Sequence, residues 1–172
     1  MNVPRFKQEK KTCGPTALQM VLAHYNHEVS EREIIKAIGG LKPNGVNTVD
    51  LADFAGSRGF DFKCLSYNKK LAGGKADIKV PAKADILKYL EKGVPVILAV
   101  NSSVLYGGKT DTPGHFIVLT KYEDGVFSYN DPYDGEEHTI DEEHLIFAWH
   151  NNTLNSSAYL LAVWPKNKTV SV

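Results

Sequence analysis

The chain has 172 residues, of which 42% are hydrophobic, and its 20 basic side chains balance 20 acidic ones. That size fits one domain spanning 1–172 with a substantial core, and the zero formal charge supplies no field to steer the protein to nucleic acid or an anionic membrane. Two cysteines are too few for a disulfide framework, no apolar run approaches a membrane span, and the first residues lack an apolar signal core, so a cytoplasmic location is the default expectation.

Taken in chain order, Ala17, Leu18, Val21, Leu22 and Tyr25 recur at helical spacing directly after Cys13, with Gly14-Pro15 suited to the turn that opens a helix. Ser30-Glu31-Arg32-Glu33 is a capping-box pattern ahead of Ile34, Ile35 and Ile38, and Gly39-Gly40 closes that second helix. A third helix follows Thr48, using Val49, Leu51, Ala52, Phe54 and Ala55. Residues 60–67 alternate like a strand and 68–79 read as a loop rich in Lys and Gly. Residues 84–92 form a short amphipathic helix, and 94–100 are an apolar run suited to the middle of a sheet, with Pro95 near its start. After a loop containing Gly107-Gly108 and Thr112-Pro113-Gly114, residues 115–122 and 126–130 pair across Asp124-Gly125, a strong hairpin signal, and 158–164 give a last strand. Helices first and an antiparallel sheet afterwards predict an α+β domain.

The chemistry gathers at three places. A thiol at the start of a helix meets the positive end of the macrodipole and the unpaired amides of the first turn, and both favour the thiolate; Cys13 sits there. A cysteine at a helix start is also an ordinary small buried residue, so its neighbours matter. Gln8, five residues upstream, can supply an amide donor to an oxyanion, or can simply be a solvated residue in Lys7-Gln8-Glu9-Lys10-Lys11. Of six histidines, His115 begins an apolar strand after a Pro-Gly loop, where its ring can face a cleft. His24 and His27 sit near a helix end, and His138, His144 and His150 lie in a polar region where surface placement explains them. Asp131 follows the strand that returns beside His115, so its carboxylate can orient the imidazole; Asn130 is the alternative, as is a plain turn aspartate before Pro132. Cysteine, histidine and an orienting carboxylate are the parts for thiol acyl transfer. No pair of histidines has metal-ligand spacing, so neither a zinc site nor an organic cofactor is expected. Cys64 reads as a buried thiol; bridging it to Cys13 would abolish the nucleophile.

Gln8, Cys13-Gly14-Pro15-Thr16, then Gly114-His115-Phe116-Ile117-Val118-Leu119, then Tyr129-Asn130-Asp131-Pro132-Tyr133, resemble the C39-like branch of the papain-type cysteine peptidases over about residues 8 to 163. The resemblance implies a papain-like fold with an N-terminal helical lobe packed on an antiparallel β-sheet. It also implies a thiol hydrolase acting on a peptide or protein substrate through Cys13, His115, Asp131 and the oxyanion donor Gln8. In many relatives the glutamine lies six residues before the cysteine, rather than five. Members in bacteriocin exporters cut leader peptides after a double glycine. Gly39-Gly40 after its amphipathic helix looks like such a leader, but capping and packing explain the same residues. Gly107-Gly108 reads equally as a mobile flap beside His115 or a surface turn. Two other classes stay open: a catalytically silent peptide-binding domain, and an acyltransferase or deamidase using the same triad.

Overall fold

The structure is a computed structural model that describes residues 1–43, 45–109, 114–151 and 158–170. Its elements run α1 (Cys13–His24), α2 (Glu31–Ala37), α3 (Thr48–Ser57), β1 (Phe60–Ser66), α4 (Lys69–Ala72), β2 (Asp77–Ile78) and α5 (Lys83–Leu90), then β3 (Val96–Asn101), α6 (Ser102–Leu105), β4 (Gly114–Glu123), β5 (Val126–Asp131), β6 (Glu136–Asp141), α7 (Glu142–His150) and β7 (Leu160–Pro165). The strands make one seven-stranded sheet in the order β2-β1-β7-β3-β4-β5-β6, antiparallel except for β1 beside β2. Thr112-Pro113 of the expected loop before β4 lies outside the described residues.

The three N-terminal helices cover one face of this sheet. Ala17, Leu18, Val21 and Leu22 of α1, Ile34 of α2 and Leu51 and Ala55 of α3 share a core with Ile97, Phe116, Val118 and Leu161 from the strands. On the other face Ile86 and Tyr89 of α5 and Leu145, Ala148 and Trp149 of α7 pack on Leu98, Ile117, Leu119 and Leu160. Alternate residues of β3, β4 and β7 therefore enter opposite cores, which is why these strands are near-continuous apolar runs. The α+β arrangement expected from the sequence is the one observed.

Local signals act as chemistry requires. Ser30 and Glu33 close a complete capping box at α2. Asp124 (φ 49°) and Gly125 (φ 82°) both take left-handed conformations and turn β4 into β5, the requirement of a two-residue primed turn. Elsewhere the structure adds elements. Residues 68–79 hold α4 and β2 rather than only loop: the chain doubles back along β1, where Lys79 N donates to Ser66 O at 3.0 Å and Lys63 pairs with Asp77. The polar region after Asp131 folds as edge strand β6 and helix α7, whose N-cap Asp141 accepts from His144 N at 2.8 Å.

Candidate active site

Cys13 is the first residue of α1, half-buried, with a free thiol. Helix geometry leaves the first-turn amides without internal partners. Thr12, the N-cap, makes no side-chain cap. Its hydroxyl is drawn instead to Glu31 Oε2, 2.8 Å away, and Thr16 Oγ1 reaches the same oxygen at 2.6 Å, so one carboxylate ties α1 to the start of α2. Pro15 has no N–H and Thr16 N is spent on Thr12 O at 2.9 Å. The amides of Cys13 and Gly14 are then the first-turn donors that meet no acceptor among the described residues. Gly14 has no room for a side chain: a Cβ there would stand 2.5 Å from Val46 Cγ2 and 3.2 Å from the Phe116 ring.

His115 enters from β4. It is 6% exposed, and its Nε2 donates to Asp131 Oδ1 at 2.7 Å; Asp131 is 1% exposed. With Nε2 committed to the carboxylate, Nδ1 is the ring nitrogen left to face the neighbouring Cys13 thiol. Burial opposes charge on the ring. The hydrogen bonds to Asp131 and Cys13, together with the charges of both, outweigh it and raise the imidazole from 6.5 to about 9. Asp131 shows the mirror image: burial pushes its carboxyl up, yet His115, the Tyr133 amide and the Tyr106 hydroxyl bring it below its ordinary value. Tyr133 N donates to Oδ1 at 2.8 Å and Tyr106 OH to Oδ2 at 2.7 Å.

The structure thus brings Cys13, His115 and Asp131 together. Asn130, the alternative orienter, does not reach the ring. Adjacent on the strand, it faces the opposite side of the sheet, where its Nδ2 donates to Val3 O at 3.0 Å. Gln8 is held beside the Asp131 turn by its backbone N–H, which donates to Pro132 O at 2.7 Å, and its Oε1 is buried with no partner among the described residues. A buried amide oxygen left unpaired costs about 1–3 kcal/mol. Four of the other five histidines tether the fold, His24 Nδ1 2.9 Å from Asn2 O, His138 Nε2 2.8 Å from Asp134 Oδ2, His144 Nε2 2.6 Å from Val104 O and His150 Nε2 3.1 Å from Pro81 O, and His27 packs edge-on against Phe60. Cys64 is free and buried, and burial, with the charges of Asp77 and Asp53, pushes its thiol up to about 12. Among the described residues no group of three or more His, Cys, Asp or Glu is placed to hold a metal ion, and no helix is long and apolar enough to cross a membrane.

Tyr106 escapes sequence reasoning. It lies in what reads as a loop, and only its position just ahead of Gly107-Gly108, near the candidate base, offers a signal. Chemically, the arrangement can take a proton from a thiol onto Nδ1 and stabilise the resulting imidazolium through Asp131.

Residues 1–157 match the profile of the Peptidase_C39 like family. No match to a curated protein was found. Among solved structures the fold is similar to the peptidase domain of Streptococcus ComA, a bifunctional ABC transporter of a quorum-sensing pathway (15% identity, TM-score 0.68, covering 96% of this chain and 100% of that one). It is similar also to a C39-like peptidase from Bacillus anthracis (17% identity, TM-score 0.68, 96% of each chain). A third is a double glycine motif protease from an AMS/PCAT transporter in complex with the leader peptide (22% identity, TM-score 0.63, 96% and 93%).

Proposed function

The chain belongs to the Peptidase_C39 like family, and from that premise we propose that it is a cysteine peptidase that cleaves a peptide bond with Cys13 as nucleophile, His115 as base and acid, and Asp131 as the group that orients the ring. The observation that carries this reading is the imidazole of His115, buried, hydrogen-bonded through Nε2 to Asp131 and close enough to Cys13 for the thiol to help raise its pKa.

In the proposed reaction His115 rests as an imidazolium beside the Cys13 thiolate, and the thiolate attacks the carbonyl carbon of the scissile bond. The carbonyl π electrons move onto oxygen. The oxyanion forms where the Cys13 amide and the Gln8 side-chain amide can donate, and each such donor contributes about 3–4 kcal/mol of transition-state stabilisation. Support for this placement comes from the unspent first-turn amides of α1 and from the Gln8 backbone, whose N–H donates to Pro132 O and holds the residue beside the Asp131 turn. As the oxyanion collapses, the C–N bond breaks and His115 returns its proton to the leaving amine. Water then attacks the thioester, giving up a proton to His115, and the carboxylic acid departs as the thiolate is regenerated. The charge that His115 carries between these steps is offset by Asp131.

One solved relative is a double glycine motif protease held with a leader peptide, which makes a peptide with a double-glycine leader the first substrate to try. The test is incubation of wild-type protein and Cys13→Ala with such a peptide, followed by mass spectrometry of both peptide and protein. Cleavage by wild type alone, with a transient adduct on Cys13, is the expected result. A protein that binds the peptide and forms no adduct is a binding domain, and the peptidase reading fails.

A further inference from the structure

Tyr106 takes no part in the reaction as written, yet it is tied to the residues that do. Its hydroxyl donates at 2.7 Å to Asp131 Oδ2, the carboxylate oxygen that His115 leaves free, and its ring centre lies 5.9 Å from that of His115. The residue as a whole is 42% exposed, so burial of its own apolar surface does not explain where it sits. Burial of the phenol, then the charge and hydrogen bond of Asp131, raise its pKa above the ordinary tyrosine range, and it remains a donor wherever the site operates.

The position is also built from behind. Tyr106 is the C-cap of α6 and its N–H returns to Ser102 O at 3.0 Å. Asn101 fixes the other end of that short helix: Oδ1 accepts from Val104 N at 3.2 Å while Nδ2 donates to Asn151 O, just past α7, at 2.9 Å. His144 of α7 lies with Nε2 2.6 Å from Val104 O. Three polar tethers therefore hold one turn of helix whose next residue is Tyr106. A helix of four residues has too few internal hydrogen bonds to stand alone, so α7 supplies its rigidity.

We propose that Tyr106 is a positioning residue that acts through Asp131. Its hydroxyl pins Oδ2 while the Tyr133 amide holds Oδ1, and the plane of the carboxylate is fixed by donors on both oxygens. With the plane fixed, His115 Nε2 has one acceptor in one direction and Nδ1 stays aimed at Cys13. Remove the hydroxyl, and Oδ2 is a buried charged oxygen free to rotate or to draw in water. This inference rests on the Cys13–His115 reading given under Proposed function.

The test needs no substrate: alkylation of Cys13 by iodoacetamide from pH 5 to 10, followed by mass spectrometry, with Cys64 labelling as the monitor of folding. Tyr106→Phe, which keeps the ring, is expected to slow Cys13 labelling at pH 6 about tenfold, the size of one hydrogen bond to a buried charge, while the rates converge near pH 10. In an Asp131→Ala background, or, where the alanine exposes Cys64, in Asp131→Leu, which is similar in shape and makes no hydrogen bond, the same substitution is expected to add nothing. A Tyr106→Phe profile that overlays wild type, or an effect that persists without Asp131, overturns the proposal. Acid-side reactivity that His115→Ala abolishes and Tyr106→Phe preserves overturns Tyr106 alone. A wild-type Cys13 with no His115-dependent reactivity at pH 6 overturns the Cys–His reading and this inference with it.

Discussion

His115 and Asp131 meet diagonally across a hairpin: Val118 pairs with Asn130, so one step further sets Asp131 level with Ile117, and Nε2 reaches Oδ1 from two residues along the same face at 2.7 Å. Diagonal neighbours on one face of a sheet are within reach of long side chains, and here the reach is used to bring charge to charge. The consequence is that Asp131 serves three donors at once, His115, Tyr133 N and Tyr106 OH.

Asp131→Ala strands all three. Breaking one side of a buried ion pair costs about 3–5 kcal/mol, so the midpoint of urea unfolding should fall by that equivalent. Peptide cleavage should fall by about 10²–10⁴, the usual worth of a positioned acid–base group. Asp131→Asn, which can still accept from the ring, should recover most of the stability and less of the activity. Equal recovery of both would mean that the charge of Asp131 does not matter to the reaction.

The raised imidazole has a consequence for stability with a definite sign. His115 goes from 6.5 to about 9 on folding, so the folded state holds a proton that the unfolded chain releases. The stabilisation is complete below pH 6.5 and is lost as pH rises through 9. Chemical denaturation of wild type and His115→Ala, compared at intervals across this window, should show the wild type losing its advantage toward pH 9. A difference between the two proteins that is constant from pH 6 to 10 contradicts the proposed charge on the ring.

Gly14→Ala probes the turn that carries the thiol. The new Cβ would stand 2.5 Å from Val46 Cγ2, a contact that cannot persist, so either the segment at Val46 or the start of α1 must move. Overpacking of this kind costs about 1–3 kcal/mol. Thermal unfolding should detect the loss, and Val46→Ala, by removing the opposing methyl, should restore much of it together with Cys13 labelling. No recovery in the double variant would place the strain elsewhere.

Helices α1 to α3, the central strands and the hairpin at Asp124-Gly125 were legible because each is announced by local chemistry: apolar periodicity, a capping box, a two-residue turn. Strand β6 was not, since it lies on the sheet edge and Ile140 is its one buried residue, which leaves almost no alternation to read. Helix α7 did carry a signal, Leu145, Ala148 and Trp149 at helical spacing behind the N-cap Asp141, hidden by its polar flanks. In the site, Cys13, His115 and Asp131 follow from motif and register. The choice of Asp131 over Asn130 is a matter of strand alternation, which sends the two side chains to opposite faces. Tyr106 could not be found this way, because its contact with Asp131 depends on how α7 anchors α6, a relationship among distant segments that no local pattern records.

Glu31 is the remaining lever on the nucleophile. Its Oε2 is shared by the hydroxyls of Thr12, beside Cys13, and Thr16, one turn further along α1, both buried. In Glu31→Ala those hydroxyls lose their charged partner but keep neutral acceptors, Glu9 O at 3.0 Å from Thr12 Oγ1 and Thr12 O at 2.9 Å from Thr16 Oγ1, so the loss stays below the roughly 1.5–3 kcal/mol of each hydrogen bond to a charged group. Glu31→Gln keeps an acceptor at the same distance and should cost far less. The carboxylate also places negative charge near the start of α1, where it works against an anionic sulfur, so the two variants need not move reactivity the way they move stability. If Glu31 chiefly holds the turn in register, Glu31→Ala lowers both the unfolding midpoint and Cys13 labelling, and Glu31→Gln preserves both. If its charge dominates instead, Glu31→Gln labels faster than wild type at pH 6 while its unfolding midpoint stays near wild type. Measuring the midpoint and the labelling rate on the same two variants separates the outcomes, and the hydrogen-bond geometry predicts the first.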